Sequence, residues 1–142
     1  MSPALNIDDA FTVDPFEYES SAVARFDIVV FQAPEEVKQR TKQSGDVRLV
    51  KRVVGLPGEK IQIKENQVFI NGELLVEPYE ILIDAKDPKR NFGPITIPRD
   101  EYFLMGDNRV GSEDSRWHYH PTIKKSDIHS KVIKVLPGYY KK

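Results

Sequence analysis

Lys51 stands out by its position. Read as an extended strand, residues 47–54 place Val47, Leu49, Lys51 and Val53 on one side and Arg48, Val50, Arg52 and Val54 on the other. The first side is apolar except for a single ammonium. Burying that charge unpaired is costly, and the usual relief is a depressed pKa, which leaves a neutral amine able to act as a general base. The spacing is equally compatible with a lysine that snorkels at a sheet edge or pairs with a carboxylate. A second concentration of chemistry is the run Gly106-Asp107-Asn108-Arg109-Val110-Gly111-Ser112-Glu113-Asp114-Ser115-Arg116, which directly follows the apolar residues 102–105. Glycines and Asx residues make turns at a strand end. Three carboxylates, two arginines and two serine hydroxyls exceed what a turn needs, and they suit a loop whose Asp and Arg lock one another and hold a hydroxyl in place. An ordinary solvated hairpin loop is the alternative. His118 and His120 are spaced to share a strand face, but without a third ligand in the pattern they read as surface or hydrogen-bonded residues, and no metal site is expected.

The elements that must position these residues read as strands. Residues 26–31 form a β-branched and aromatic run expected to be a central strand buried on both faces. Ile61 and Ile63, then Val68 and Ile70, alternate with polar neighbours, and Asn71-Gly72 supplies a tight hairpin turn before Leu74. Residues 95–97, 102–105 and 132–136 continue the series, which predicts an all-β chain of antiparallel sheets or a partly closed barrel with short helix and loop insertions. Residues 32–45 are polar and allow a short surface helix in which Glu36 and Arg40 are spaced to pair. Residues 77–93, with Pro78 and Pro88 among mixed charges, read as a loop insertion.

Composition narrows the function classes. The 142 residues carry 21 basic against 22 acidic side chains, a formal net charge of −1, so no polycationic field draws the chain to nucleic acid. With no cysteine, disulfides, thiolate zinc sites and cysteine nucleophiles are excluded. The longest apolar run, Ile28 to Phe31, is far short of a membrane span, and the residues after Met1 do not form a secretory leader. The length suits a single domain over 1–142, soluble and globular as written.

Two long segments resemble a known family. Residues 50–59, Val-Lys-Arg-Val-Val-Gly-Leu-Pro-Gly-Glu, resemble the lysine box of type I signal peptidases, and residues 106–116 resemble their Gly-Asp-Asn-Arg-x-x-Ser-x-Asp-Ser-Arg box. Residues 25–31 are similar to their Gly-Asp-Ile-Val-Val-Phe strand, with Phe26 where glycine is usual. Residues 102–105 and Phe92-Gly93-Pro94 also fit, so the resemblance runs in order along nearly the whole chain. It implies a membrane-anchored serine endopeptidase, on an all-β scaffold facing the extracytoplasmic side, that removes signal peptides from exported preproteins with a serine–lysine pair. By the same resemblance Lys51 is the general base, Ser112 hydrogen-bonds and orients its amine, Asp114 and Arg116 form a supporting ion pair, and Arg52 and Asp107 stiffen the region. Its partners would be preprotein signal peptides and the membrane lipid surface. No cofactor, metal or nucleic acid is implied, and the chain is expected to act as a monomer.

The departure lies at the beginning. The family's nucleophile belongs to Ser-Met-x-Pro-Thr-Leu, and this chain starts Met1-Ser2-Pro3-Ala4-Leu5. Aligning Met1, Pro3 and Leu5 with the motif places the nucleophilic serine immediately before Met1, with the oxyanion amide it would contribute and an anchoring helix further upstream. Ser2 falls on the variable position, about 7 Å further along an extended segment, which does not suit it to the attack. Two accounts follow: a chain that begins after its nucleophile, or a catalytically inactive homologue that binds peptides or assists assembly. The lone ammonium on an apolar face favours the first, because a chain released from catalysis has no physical need to bury a charge. Self-cleaving repressors also pair serine with lysine on β scaffolds, but they lack the 106–116 loop and bring a DNA-binding module. The lack of glycine in His118-Tyr119-His120 departs from an aromatic–glycine turn common in the family. Phe11, Phe16 and Tyr18 either enter a membrane interface or pack on the sheet, and Trp117, Tyr119, Tyr139 and Tyr140 read as core or interface aromatics.

Overall fold

The structure is a computed structural model, and it describes residues 1–139. Among the described residues ten strands form two antiparallel sheets. The larger takes the order β1-β10-β2-β3-β8-β9, from Ala10–Asp14 (β1), Ile28–Gln32 (β2), Arg48–Gly55 (β3), Glu101–Met105 (β8), Ile123–Lys124 (β9) and Ile128–Leu136 (β10). The smaller has the order β6-β5-β4-β7, from Lys60–Lys64 (β4), Gln67–Ile70 (β5), Glu73–Leu74 (β6) and Phe92–Thr96 (β7). Both sheets are open, so the antiparallel architecture is present without a closed barrel.

Strand β2 sits in the interior of the larger sheet, between β10 and β3, and its Val29, Val30 and Phe31 are buried. The apolar runs in β2 and β8 are continuous because this sheet is covered on both faces. On one face Val29, Phe31, Val53, Tyr102 and Leu104 join Val23, Ile123 and Ile128. On the other, Val54, Phe103 and Met105 meet Ile61, Ile63, Val68 and Ile97 of the smaller sheet's side. Alternation along β3 and β8 therefore divides each strand between two cores. The turn Asn71-Gly72 takes positive φ at both residues, 51° and 85°, as a two-residue hairpin loop demands.

Three local expectations change. Residues 32–45 do contain a helix, α2 (Glu35–Thr41), but Glu36 and Arg40 do not pair with each other. The Glu36 carboxylate accepts the Tyr119 amide at 2.9 and 3.0 Å, and Arg40 pairs with Glu113, so the helix holds the chain that follows the acidic and basic loop. The insertion is shorter than read, because β7 already begins at Phe92. His118 and His120 do not share a strand face: neither lies in a strand, and His118 is buried while His120 is exposed.

Of the aromatics, Tyr18, in the short helix α1 (Glu17–Ser20), packs against the first core and donates its hydroxyl to Asp27 at 2.8 Å. Phe16 is exposed, Phe11 is half-buried on β1, and Trp117, Tyr119 and Tyr139 are exposed. Tyr140 lies outside the described residues. No helix among the described residues is long and apolar enough to cross a membrane.

Candidate active site

Lys51 occupies the middle of β3, opposite the fully buried Val29 of β2. Leu49 and Val53, two residues to either side, pack into the first core, so the ammonium shares a face with apolar neighbours as the alternation requires. It enters no ion pair among the described residues. Burial pulls its pKa down, and the Arg116 charge adds to that, while Asp114 and Asp107 push back; the net effect is a lysine that loses its proton more readily than usual.

The chain's first residues close around this amine. A cavity of about 500 Å³ is lined by Lys51, Met1, Ser2, Leu5, Asn108 and Ser112, among others. The Met1 amino group is also held below its ordinary pKa, first by burial and then by the Lys51 charge. Residues 1–5 form a turn, closed by Leu5 N–H to the Met1 carbonyl at 3.2 Å, rather than the extended segment expected. Pro3 is partly buried within that turn and does not line the cavity.

Ser112 comes from the loop after β8. It is buried beside Lys51; the expected hydrogen bond to the Lys51 amine is not formed, and its hydroxyl instead lies near the Asp114 carboxylate, helping to hold that group's pKa down. Gly106 makes this approach possible. A Cβ there would lie 2.1 Å from Ser112 Oγ and 3.8 Å from Lys51 Cδ, so the serine and lysine side chains converge over a position only glycine can fill. The other hydroxyl, Ser115 Oγ, accepts the Leu104 amide at 3.0 Å and fastens the loop to β8.

Three buried arginines hold the loop. Arg116 grips Asp114 through two hydrogen bonds, Nε to Oδ1 at 2.9 Å and Nη2 to Oδ2 at 3.0 Å, and reaches the Arg109 carbonyl at 2.8 Å. Asp114 also accepts the Gly106 amide at 3.0 Å. Burial alone pushes the Asp114 carboxyl up, but the Arg116 hydrogen bonds and charge, then the Gly106 amide, outweigh it and hold the group below the usual carboxylate range. Arg52, on the face of β3 opposite Lys51, grips the fully buried Asp107 at 2.9 and 2.6 Å and donates to the Phe26 carbonyl at 3.0 Å. Arg109 donates to the Gly106 carbonyl at 3.0 Å. Fork-to-fork pairs of this kind fix geometry more than they add stability.

The cavity thus brings together two amines of lowered pKa, Lys51 and the Met1 amino group, and the Ser112 hydroxyl on a charge-locked loop. The family profile described as "Signal peptidase, peptidase S26" matches residues 1–136. The chain belongs to the signal peptidase family.

A protein named Signal peptidase I from Leptolyngbya laminosa is 35% identical over 138 residues, covering 96% of this chain and 64% of its own length. Probable signal peptidase I-2 from Synechocystis sp. is 33% identical over 125 residues, 87% of this chain and 54% of its own length. The chain thus spans between half and two thirds of these relatives. The crystal structure of a signal peptidase I from Enterococcus faecalis V583 matches with a TM-score of 0.61 at 28% identity, covering 80% of this chain and 98% of that one.

Sequence reasoning missed Glu77, Tyr79 and Asp87, all within the insertion. Glu77 pairs with Arg109, Asp87 Oδ2 lies 3.3 Å from Arg116 Nη1, and the Tyr79 ring sits 3.8 Å from the Arg52 guanidinium carbon. One signal was available. With Asp107 and Asp114 each assigned a partner, Arg109 had no carboxylate of its own, and a buried arginine requires one.

Proposed function

We propose that this chain is the catalytic part of a serine endopeptidase that removes N-terminal signal peptides from exported preproteins at the extracytoplasmic face of the cell membrane. The observation that carries the reading is the Lys51 amine, partly buried, unpaired among the described residues, lowered in pKa and adjoining Met1 and Ser112 in one cavity. The nucleophile assigned is a serine encoded immediately before Met1, where the motif alignment puts it. That Met1 and Lys51 line one cavity supports that assignment, since the preceding residue would join the chain at the Met1 nitrogen.

In this mechanism neutral Lys51 takes the proton from the serine hydroxyl as the oxygen attacks the scissile carbonyl carbon. The protonated amine then gives its proton to the leaving amine as the peptide bond breaks, leaving an acyl-enzyme. Neutral again, Lys51 takes a proton from water, which attacks the ester and regenerates the serine. Ser112, which adjoins the amine in the cavity, is assigned to orient it as the proton moves, and the Asp114–Arg116 and Arg52–Asp107 pairs keep the loop from drifting. A polar fork on each flank of the lysine is useful because a misplacement of about 1 Å costs about 10²-fold in rate.

Two measurements test the reading. The in-frame codon before Met1 should encode serine; a stop codon there overturns the assignment. The chain extended by its upstream residues should cut a preprotein after an Ala-x-Ala segment, with activity rising as pH climbs through the lowered Lys51 pKa. Binding of the same peptide without cleavage would instead identify a non-catalytic peptide-binding homologue.

A further inference from the structure

The insertion between β6 and β7 has an unusual division of its side chains. Leu75 at its start packs on the second core and Ile81 is half-buried, but the apolar residues at its middle turn outward: Ile83 is 56% and Leu82 38% exposed. Its inward polar side chains each go to a different arginine of the candidate site. The Glu77 carboxylate, almost wholly buried, forms a two-point pair with Arg109. Tyr79 lays its ring over Arg52 and donates its hydroxyl to Glu77, which joins the Arg52–Asp107 pair to the Arg109–Glu77 pair. Asp87, 4% exposed, reaches Arg116 from the side opposite Asp114. The backbone adds two further ties: Leu82 N–H to the Asp107 carbonyl at 2.9 Å, and Arg109 N–H to the Leu82 carbonyl at 2.8 Å. A loop serving the core would turn its apolar residues inward.

We propose that residues 77–91 act as a positioning strap for the candidate site, in which Glu77, Tyr79 and Asp87 fix Arg109, Arg52 and Arg116 and thereby hold Asp107, Asp114 and Ser112 around the Lys51 amine. The inference rests on the proposed role of Lys51 and deepens it. None of the three strap residues touches the reacting atoms; each acts through an arginine. Loosening the strap lets the 106–116 loop move away from β3 and admits water to the amine, so the lysine recovers part of its ordinary affinity for a proton. The groups whose charge bears on Lys51 are Asp114, Arg116 and Asp107 from the loop, His118 beyond it and the Met1 amino group, and none belongs to the strap itself.

The test is the titration of Lys51 in this chain, followed by NMR of lysine labelled with ¹³C at Cε, alongside the thermal midpoint. Two substitutions conserve net charge while withdrawing a contact: Tyr79→Leu removes the ring from Arg52, and Glu77→Asp shortens the reach to Arg109. Each is expected to raise the Lys51 midpoint by about half a pH unit or more, and Tyr79→Phe, which keeps the ring, to leave it within about 0.2 of the unsubstituted value. A purely scaffolding role lowers the thermal midpoint and leaves the titration in place. Should Tyr79→Leu fail to fold, Glu77→Asp gives the same reading independently. A lowered Lys51 midpoint that neither variant moves overturns the strap alone. An ordinary lysine midpoint of about 10.4 in the unsubstituted chain overturns the proposed function and the strap with it.

Discussion

At the scale of residues, Lys51 sets an opposition between stability and chemistry. Its proton is held less tightly in the folded chain than in the unfolded one. Below the folded pKa the chain therefore carries a destabilising ammonium, and the penalty fades as pH rises from that value toward about 10.4. Lys51→Met is expected to abolish cleavage by the serine-bearing protein while raising the thermal midpoint at neutral pH by about 3 °C, or about 1 kcal/mol, because a well-packed apolar side chain replaces a charge. The same comparison at pH 10 should show the gain shrinking. A midpoint lowered by this substitution would mean that the ammonium is satisfied in the folded chain. Phe26 shows a different tension. Its φ of 74° is the left-handed region favoured by glycine, the residue usual at this place in the family, and a side chain there costs about 1–2 kcal/mol. Its amide donates to Val53 at 2.7 Å, its carbonyl accepts from Arg52, and its ring meets Tyr79 edge-on, which together hold the strained turn.

At the scale of elements, the loop after β8 depends on one close approach. Gly106→Ala would push a methyl to 2.1 Å from Ser112 Oγ and 2.5 Å from its Cβ, so the loop must shift. We expect this variant to lose activity by about 10²-fold or more, with modest loss of stability, since the serine and lysine can no longer share their space. Combining it with Ser112→Gly should recover the thermal midpoint without recovering turnover. Failure of the pair to restore stability would place the clash elsewhere. The helix α2 works on the same loop from the other side, through Glu36 on the Tyr119 amide and Arg40 on Glu113. A pairing that looked internal to the helix is thus tertiary. The i,i+4 spacing of Glu36 and Arg40 permitted a pair without requiring it, and the Tyr119 backbone N–H offered the Glu36 carboxylate a donor instead.

At the scale of the whole molecule, two sheets sandwich one core, and the larger sheet carries a second core on its far side. The candidate site sits where the loop after β8 leaves that sheet beside the middle of β3, so the lysine is placed by the sheet while the loop is held by ion pairs. Asp114 shows how. Its folded pKa is depressed, so the stability it contributes is present above the unfolded value of about 3.9 and is lost as pH falls through the folded value. Asp114→Asn, which leaves Arg116 with Asp87 alone, should cost about 3 kcal/mol at pH 7, and the difference from the unsubstituted chain should vanish in strong acid. Urea midpoints measured from pH 7 down to pH 2 check this. A constant difference across that range would assign the effect to shape rather than charge.

Much of this was legible in the order of residues alone. Strands β2 and β8 follow from continuous apolar runs and the Asn71-Gly72 turn from its residue types, while β4, β5 and the isolation of Lys51 on β3 follow from alternation, because a pleated backbone sends neighbouring side chains to opposite faces whatever surrounds it. The two long motifs likewise located Lys51, Ser112, Asp114, Arg116, Arg52 and Asp107, since each lies in an uninterrupted run. What tertiary structure decided is who meets whom across distance. The insertion 77–91 has no periodicity, so nothing local announced that Glu77, Tyr79 and Asp87 would each reach a different arginine. Nor did spacing reveal that the first five residues fold into a turn beside Lys51. Periodicity fixes the face on which a side chain stands; the partner on that face comes from whichever segment the fold returns to it.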